Sequence, residues 1–175
     1  MISTLKLFIN KLFPKTEYKI AKLLLQKGLT VSTAESCTGG LVSSRLTDVS
    51  GSSAYIKENY VTYANEAKTK ILNASAETLN TFGAVSEQCA MEMADGLYKQ
   101  TGCDIALCTT GIAGPTGGTP TKPVGTMFLG IKNKDLLLIK QINIKQHYRR
   151  KLMKFAFSQK ALEFLLEFLQ NLWKW

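Results

Sequence analysis

The sequence predicts one α/β domain, a three-layer α/β/α sandwich with a mixed, mostly parallel sheet. Its 175 residues, 45% of them hydrophobic, suffice to bury one core. Short strand-like runs alternate with segments of helical spacing, as in parallel sheets covered by helices. Two further strand-like runs, joined by a tight turn, come late in the chain and predict an antiparallel hairpin. No repeat or linker divides the sequence, so we expect a single domain over residues 16–175 after an amphipathic N-terminal extension, residues 1–15.

The first elements follow from helical spacing and its stop signals. Apolar residues at helical spacing run up to Pro14, which ends that segment. A helix is predicted from Glu17 to Lys27, because Gly28 is a typical C-terminal stop. We then expect a strand over Leu29–Ala34 and a helix over Gly39–Leu46.

The remaining elements are predicted in the same way. In the middle of the chain we expect a strand at Tyr60–Tyr63, short helices near Glu66–Leu72 and Ala76–Phe82, and a helix to about Lys99 capped by Ser86 and closed by Gly102. Towards the C-terminus we expect a buried strand at Cys103–Thr109, two strands at Val124–Lys132 and Leu136–Ile144 joined by the turn Asn133–Asp135, and a helix from about His147 to Leu172.

Charge and composition disfavour several classes of function. The net charge is +9, but residues 31–130 hold six basic and nine acidic residues, so the cations are concentrated towards the two ends. A nucleic-acid-binding protein would cluster cations on its binding surface, and we therefore expect no nucleic-acid partner. No apolar run reaches the roughly 18 residues that cross a membrane. The N-terminus lacks the features of a signal peptide, and we expect a cytoplasmic protein.

The cysteines and the single histidine indicate neither a metal nor a cofactor. The four cysteines form no CxxC pair, and His147 is the only histidine, so the ligands of a zinc site are lacking. We interpret Cys89, Cys103 and Cys108 as small core residues. The last helix has a wide apolar surface, which predicts either core packing alone or a homo-oligomer.

The segment TVSTAESCTGGLVSSRL, residues 30–46, is the first candidate site. Ser36 follows a predicted strand and precedes a predicted helix, whose first N–H groups would suit an oxyanion or a phosphate. Gly39 and Gly40 would let a ligand approach the backbone closely. The alternative is that Ser36 or Thr38 only caps the helix, and the residue pattern leaves both interpretations open.

A serine nucleophile needs a base, and the sequence offers two. A Ser–His–Asp triad would depend on His147, whereas Lys68 would have to lose its proton through burial or nearby cations. The alternative for Lys68 is an exposed helix lysine. Cys37 is either a rival nucleophile or a buried thiol.

Two neighbours of this segment and one further loop are less specific. Glu35 would steer a lysine, bind a ribose hydroxyl or cap local N–H groups, and Tyr63 would donate a hydrogen bond or pack on the sheet. The segment Gly111–Gly125 would form an anion-binding nest or merely a turn-rich loop. It lacks the residue order of a P-loop and of a dinucleotide-binding turn, so ATP and NAD redox chemistry are poorly supported.

Taken together, the motifs resemble the CinA C-terminal family, which includes stand-alone nicotinamide mononucleotide amidohydrolases. The resemblance runs from about Glu17 to the last helix, and its motifs are TAESCTGG at 33–40, GSS at 51–53, VTYANEAK at 61–68, GAVSE at 83–87, TGIAGPTGG at 110–118 and KPVGT at 122–126. It implies an α/β/α sandwich and metal-free hydrolysis of nicotinamide mononucleotide to nicotinate mononucleotide and ammonia.

The resemblance also implies roles for individual residues. Ser36 falls on the family's serine nucleophile, Lys68 on its lysine base and Tyr63 on its active-site tyrosine. Substrate-binding residues are expected in the two loops and the last helix, namely Glu35, Cys37, Thr38, Gly39, Gly40, Thr110, Gly111, Gly114 and Arg150. Family members often carry Gly-Asp-Arg before the last helix, whereas here Tyr148, Arg149 and Arg150 keep only the arginine.

Two other functions stay open at this point. One is a non-catalytic binding protein associated with competence or DNA damage, since the family name reflects those processes. The other is an amidase for a different nucleotide.

Overall fold

The computed structural model describes residues 16–145 and 148–172 of the chain. Within these ranges the elements are α1 (Thr16–Lys27), β1 (Val31–Glu35), α2 (Leu41–Thr47), a 3-10 turn (Ser52–Ala54), β2 (Ile56–Val61), α3 (Asn65–Leu72), α4 (Ala76–Thr81), α5 (Glu87–Thr101), β3 (Ile105–Gly111), β4 (Thr126–Lys132), β5 (Leu137–Asn143) and α6 (Arg150–Asn171). The predicted extension, residues 1–15, lies outside the described residues, and so does His147.

The sheet is mixed, and its strand order is β2-β1-β3-β4-β5. Strand β1 pairs in parallel with both β2 and β3, whereas β4 pairs antiparallel with β3 and with β5. Four strands therefore run in one direction and β4 alone runs against them, which confirms the predicted sheet. Glu35, the last residue of β1, lies opposite Val61 of β2 and Thr109 of β3. The carboxyl ends of these three strands consequently meet at one edge of the sheet.

Helices cover both faces of the sheet, which confirms the three layers. One core lies between the sheet and α1, α2 and α6, and includes Leu24, Leu46 and Phe157. The other core lies under α3 and α5 and contains the buried cysteines Cys89, Cys103 and Cys108, as predicted. Most apolar residues of α6 are buried within the chain itself, whereas Leu152 and Phe155 near its start are exposed. The homo-oligomer stays a prediction. No described helix is both long and apolar enough to cross a membrane.

Several predicted caps and turns are confirmed by hydrogen bonds. The side chain of Ser86 accepts a hydrogen bond of 3.1 Å from the N–H of Cys89 at the start of α5. Gly102 ends this helix with φ +58°, a left-handed conformation that favours glycine. In the β4–β5 turn, the side-chain oxygen of Asn133 accepts a hydrogen bond of 2.7 Å from the N–H of Leu136.

The prediction for the second strand was wrong in its bounds. Strand β2 occupies Ile56–Val61, whereas the sequence predicted a strand at Tyr60–Tyr63. The strand lies at an edge of the sheet and is half-exposed, so its first residues, Ile56, Lys57 and Glu58, lack the apolar run of a buried strand.

Helix α5 lies close to the end of α3, the helix that carries Lys68. A Cβ atom at Gly96 would overlap the carbonyl oxygen of Leu72, the last residue of α3. Glycine at this position therefore lets the two helices approach, and this approach places the end of α3 against α5.

We expect Gly96→Ala to lower the free energy of unfolding. Overpacking in a core costs about 1–3 kcal/mol, and here it must exceed the roughly 1 kcal/mol by which alanine favours a helix over glycine. Urea unfolding measures the difference. Gln100→Ala, at an exposed position of the same helix, is the control and should change stability by less than about 0.5 kcal/mol. Equal stability of Gly96→Ala and the wild type would contradict the close approach.

Candidate active site

A cavity of about 260 Å³ lies beyond the carboxyl ends of β1 and β3. Strand β2, which follows β1 in the chain, lies on one side of β1, and the next strand, β3, lies on its other side. The cavity therefore lies at the switch point of the sheet, where α/β proteins bind ligands. It is lined by Ser36, Cys37, Tyr63, Gly111, Ile112, Ala113, Gly114, Thr116, Gly117 and Arg150.

Ser36 and Lys68 form a hydrogen-bonded pair at this cavity. The amine Nζ of Lys68 lies 3.1 Å from Oγ of Ser36. The same amine donates to two backbone carbonyls that follow β2, that of Thr62 at 2.8 Å and that of Tyr63 at 3.1 Å. The two residues are thus brought together by the ends of two adjacent parallel strands and by the helix α3.

The surroundings of Lys68 favour its neutral form. The residue is only 1% exposed, and burial lowers the pKa of its amine. Among the described residues, no carboxylate forms an ion pair with Lys68. A neutral amine has two N–H donors and one lone pair. Because carbonyls only accept hydrogen bonds, those of Thr62 and Tyr63 take the two donors, and the lone pair is left to face the hydroxyl of Ser36.

Cys37 lines the cavity, but its chemistry differs from that of a nucleophilic cysteine. The residue is 4% exposed, and burial raises the pKa of its thiol to about 12. The thiol therefore stays protonated at neutral pH, and a protonated thiol is a poor nucleophile. This favours the interpretation of Cys37 as a buried thiol.

Glu35 does not line the cavity, contrary to its predicted substrate-binding role. Its side chain is fully buried and its carboxylate accepts hydrogen bonds from the start of α2. The donors are the backbone N–H groups of Gly40, Val42 and Ser43 and the hydroxyl of Ser43, at 2.7 to 3.1 Å. The carboxylate thus occupies the N-terminus of this helix, the place predicted for an oxyanion or a phosphate, and confirms the alternative that Glu35 caps local N–H groups.

The two glycines before α2 also differ from their predicted role. The helix begins at Leu41, because Gly39 and Gly40 have φ values of +60° and +90°. The N–H of Gly39 donates to the carbonyl of Ser36, and neither glycine lines the cavity. Gly40 is in addition the N-cap of the helix, a position predicted for Ser36 or Thr38 in the alternative interpretation.

Two predicted binding threonines are buried away from the cavity. The hydroxyls of Thr38 and Thr109 lie 2.8 Å apart and form a hydrogen bond between the first loop and β3. The hydroxyl of Thr110 donates to the carbonyl of Ala84 at 2.6 Å. Each hydroxyl has a partner within the protein and neither residue lines the cavity, so the geometry does not support the predicted binding of substrate by Thr38 and Thr110.

The glycine-rich loop after β3 forms one wall of the cavity. Gly111 and Gly114, which were predicted to bind substrate, line it together with four residues that the sequence did not single out, namely Ile112, Ala113, Thr116 and Gly117. The signal for these four was their position within the same motif, TGIAGPTGG.

Arg150 connects this loop to the chain segment after β2. Its guanidinium donates to the carbonyl of Gly114 and to the hydroxyl of Tyr63, both at 2.7 Å. Arg150 is the single charged residue among the described residues that line the cavity. Tyr63 lines the cavity and is 58% exposed, so its ring is not buried against the sheet.

The described residues contain no group of three or more acidic, cysteine or histidine side chains that could hold a metal ion. His147 lies outside the described residues, so the predicted alternative base has no position to compare with Ser36.

The fold and the site define an α/β protein with a serine–lysine pair at the switch point of its sheet. Residues 14–169 match the CinA C-terminal domain. Two solved structures are similar over 90% of this chain. They are the competence/damage inducible protein CihA from Agrobacterium tumefaciens (40% identity, TM-score 0.83, 98% of that chain) and a CinA superfamily protein from Klebsiella pneumoniae (30% identity, TM-score 0.84, 97% of that chain). The chain belongs to the CinA C-terminal domain family.

Curated relatives are similar in sequence but longer. The CinA-like protein of Chlorobaculum tepidum is 48% identical over 153 residues, which are 86% of this chain and 36% of the relative. That of Kosmotoga olearia is 52% identical over 125 residues, which are 71% of this chain and 30% of the relative. The chain thus spans about a third of the length of these relatives.

We expect the buried amine of Lys68 to make stability depend on pH. Because its pKa is lowered in the folded protein, the unfolded protein binds more protons between that pKa and about 10.4. The stability of the wild type should therefore rise with pH in this interval, by at most about 1.4 kcal/mol per pH unit, relative to Lys68→Met. Urea unfolding of both proteins at several pH values above about 7 tests this. Parallel pH curves for the two proteins would contradict a lowered pKa.

Proposed function

We propose that the protein is an amidohydrolase that converts nicotinamide mononucleotide to nicotinate mononucleotide and ammonia. The observation that carries this proposal is the 3.1 Å contact between the buried amine of Lys68, whose pKa is lowered, and the Ser36 hydroxyl at the wall of a cavity, with two backbone carbonyls as the other partners of that amine. A serine next to a neutral amine is an activated nucleophile for acyl transfer. The substrate class is supported by the resemblance to the CinA C-terminal family, to which the chain belongs.

The first half of the reaction releases ammonia. The amine of Lys68 accepts the proton of Ser36 as Oγ attacks the carboxamide carbon. The N–H of Cys37, the residue after the nucleophile at the wall of the cavity, would stabilise the oxyanion, whereas the N–H groups of Gly39 and Gly40 already have acceptors within the protein. The C–N bond then breaks, and the ammonium of Lys68 returns the proton to the departing nitrogen.

The second half releases the carboxylate product. Water attacks the acyl group on Ser36 while Lys68 accepts a proton from the water. The ester bond breaks, Lys68 returns the proton to Oγ of Ser36, and the free enzyme is restored. One water is consumed and one ammonia is released for each amide hydrolysed.

The charge of the cavity supports an anionic ligand. A guanidinium has five N–H donors, and among the described residues Arg150 has partners for two of them, which leaves donors and a positive charge for a phosphate. The hydroxyl of Tyr63 accepts a hydrogen bond from Arg150 and retains its own hydrogen for the substrate. The carboxylates of the acidic central segment, residues 31–130, are not among the residues that line the cavity. The phosphate of a mononucleotide would therefore lie towards Arg150.

Substitutions at the pair test the reaction. We expect Ser36→Ala and Lys68→Met each to lower the rate of ammonia release from nicotinamide mononucleotide by at least about 10³-fold, because each removes one member of the nucleophile–base unit. Ammonia release is measured in a coupled assay. Cys37→Ala is the control and should retain most activity, since its thiol stays protonated. Activity that survives Ser36→Ala, or is lost in Cys37→Ala, would contradict the assignment.

The pH dependence of kcat tests the role of Lys68 separately. Only the neutral amine accepts a proton, so kcat should rise as pH increases through the lowered pKa of Lys68, with a midpoint below the usual lysine value of about 10.4. Initial rates at saturating nicotinamide mononucleotide between about pH 6 and pH 10 give this profile. A kcat that falls or stays constant over this range would exclude Lys68 as the general base.

A further inference from the structure

The carboxylate of Glu35 connects the end of β1 to the start of α2. One carboxylate oxygen accepts from the N–H groups of Gly40 and Val42, at 3.0 and 3.1 Å. The other accepts from the N–H and the hydroxyl of Ser43, both at 2.7 Å. Four hydrogen bonds to one fully buried side chain fix the distance between the strand and the helix.

The backbone next to Glu35 is fixed as well. The carbonyl of Glu35 accepts a hydrogen bond of 2.9 Å from the N–H of Thr62, the residue whose own carbonyl binds the amine of Lys68. The N–H of Ser36 donates to the carbonyl of Thr109 on β3, also at 2.9 Å. Glu35 therefore lies between the nucleophile and the backbone that supports the base.

The loop that carries Ser36 depends on these contacts. Residues 36–40 lead from β1 to α2 through Gly39 and Gly40, which have left-handed backbone conformations and no side chain to pack. Among the described residues, the carboxylate of Glu35 is the only side-chain acceptor for the N–H of Gly40 and for the first N–H groups of the seven-residue helix α2. Without this carboxylate the N–H groups would need water as their acceptor, and the loop of residues 36–40 would lose the hydrogen bonds that fix its end at Gly40.

We propose that Glu35 is a positioning residue for the reaction, which holds the Ser36 hydroxyl in line with the amine of Lys68 without touching the substrate. This inference rests on the proposed function. The geometry makes Glu35 act through the loop, because its carboxylate faces α2 while Ser36 and Cys37 face the cavity. A displacement of about 1 Å between reacting groups can cost about 10²-fold in rate.

Glu35→Gln tests this role with little change in volume. The amide replaces one acceptor oxygen with a donor, which must then face backbone N–H groups. We expect kcat for nicotinamide mononucleotide to fall about 10- to 100-fold with KM within about twofold of the wild type. Ser43→Ala removes one of the four hydrogen bonds and should give a smaller decrease of kcat.

Glu17→Gln is the matched control for lost stability. Glu17 is also a buried carboxylate, but it forms an ion pair of 3.0 Å with Arg45 away from the cavity. We expect its kcat and KM to stay within about twofold of the wild type. An equal loss of kcat in Glu17→Gln, an unchanged kcat in Glu35→Gln, or a raised KM at unchanged kcat would each overturn the proposal.

A second pair of measurements separates this proposal from the proposed function. Intact mass measures the rate at which a small fluorophosphonate labels Ser36, with Ser36→Ala as the blank, and Glu35→Gln should lower that rate about tenfold or more. Amide hydrogen exchange should become faster at Gly40, Val42 and Ser43. If the wild type neither releases ammonia nor is labelled, the proposed function fails, and exchange alone then decides whether Glu35 holds the loop. Unchanged exchange in Glu35→Gln would overturn its positioning role.

Discussion

The site depends on a lysine amine that is removed from water without a carboxylate partner among the described residues. A buried ammonium without a counter-charge is costly, and the cost is avoided when the amine gives up its proton. The carbonyls of Thr62 and Tyr63 then accept both N–H groups, so the neutral amine leaves no donor unpaired. The same arrangement directs the lone pair of Lys68 towards Ser36. Burial of this residue therefore lowers the pKa of its amine and increases the fraction of the neutral form, which alone can accept a proton.

The parallel part of the sheet explains why these groups meet. Ser36 lies in the loop that follows β1, and the carbonyls of Thr62 and Tyr63 lie in the segment between β2 and α3. The glycine-rich loop follows β3. Since β1 pairs in parallel with both β2 and β3, the segments that follow these three strands all begin at the carboxyl end of the sheet. The position of Lys68 depends in turn on α3, which the close approach at Gly96 holds against α5.

Much of the fold could be predicted, because the apolar periodicity and the stop signals of each helix and strand depend only on residues close together in the sequence. The α1 helix ended by Gly28, the Ser86 cap and the Asn133 turn each follow from a few neighbouring residues. The contact between Ser36 and Lys68 links residues 32 positions apart, and the sequence showed it only through resemblance. The direction of the Glu35 side chain was not predictable from the pattern, because a carboxylate beside Ser36 suits a ligand as well as a helix N-terminus.

The use of Glu35 within the fold has a consequence for ligand binding. Its carboxylate occupies the N-terminus of α2, so this helix offers its first N–H groups to the protein and not to a bound anion. A positive charge for an anionic ligand must then come from a side chain, and Arg150 is the charged residue that lines the cavity. Its partners, the carbonyl of Gly114 and the hydroxyl of Tyr63, are neutral, and they orient the guanidinium without cancelling its charge. Because Arg150 is the single charged residue among the described residues that line the cavity, its charge distinguishes one end of the cavity from the other, and in the proposed reaction it would orient a ligand that carries an amide at one end and a phosphate at the other.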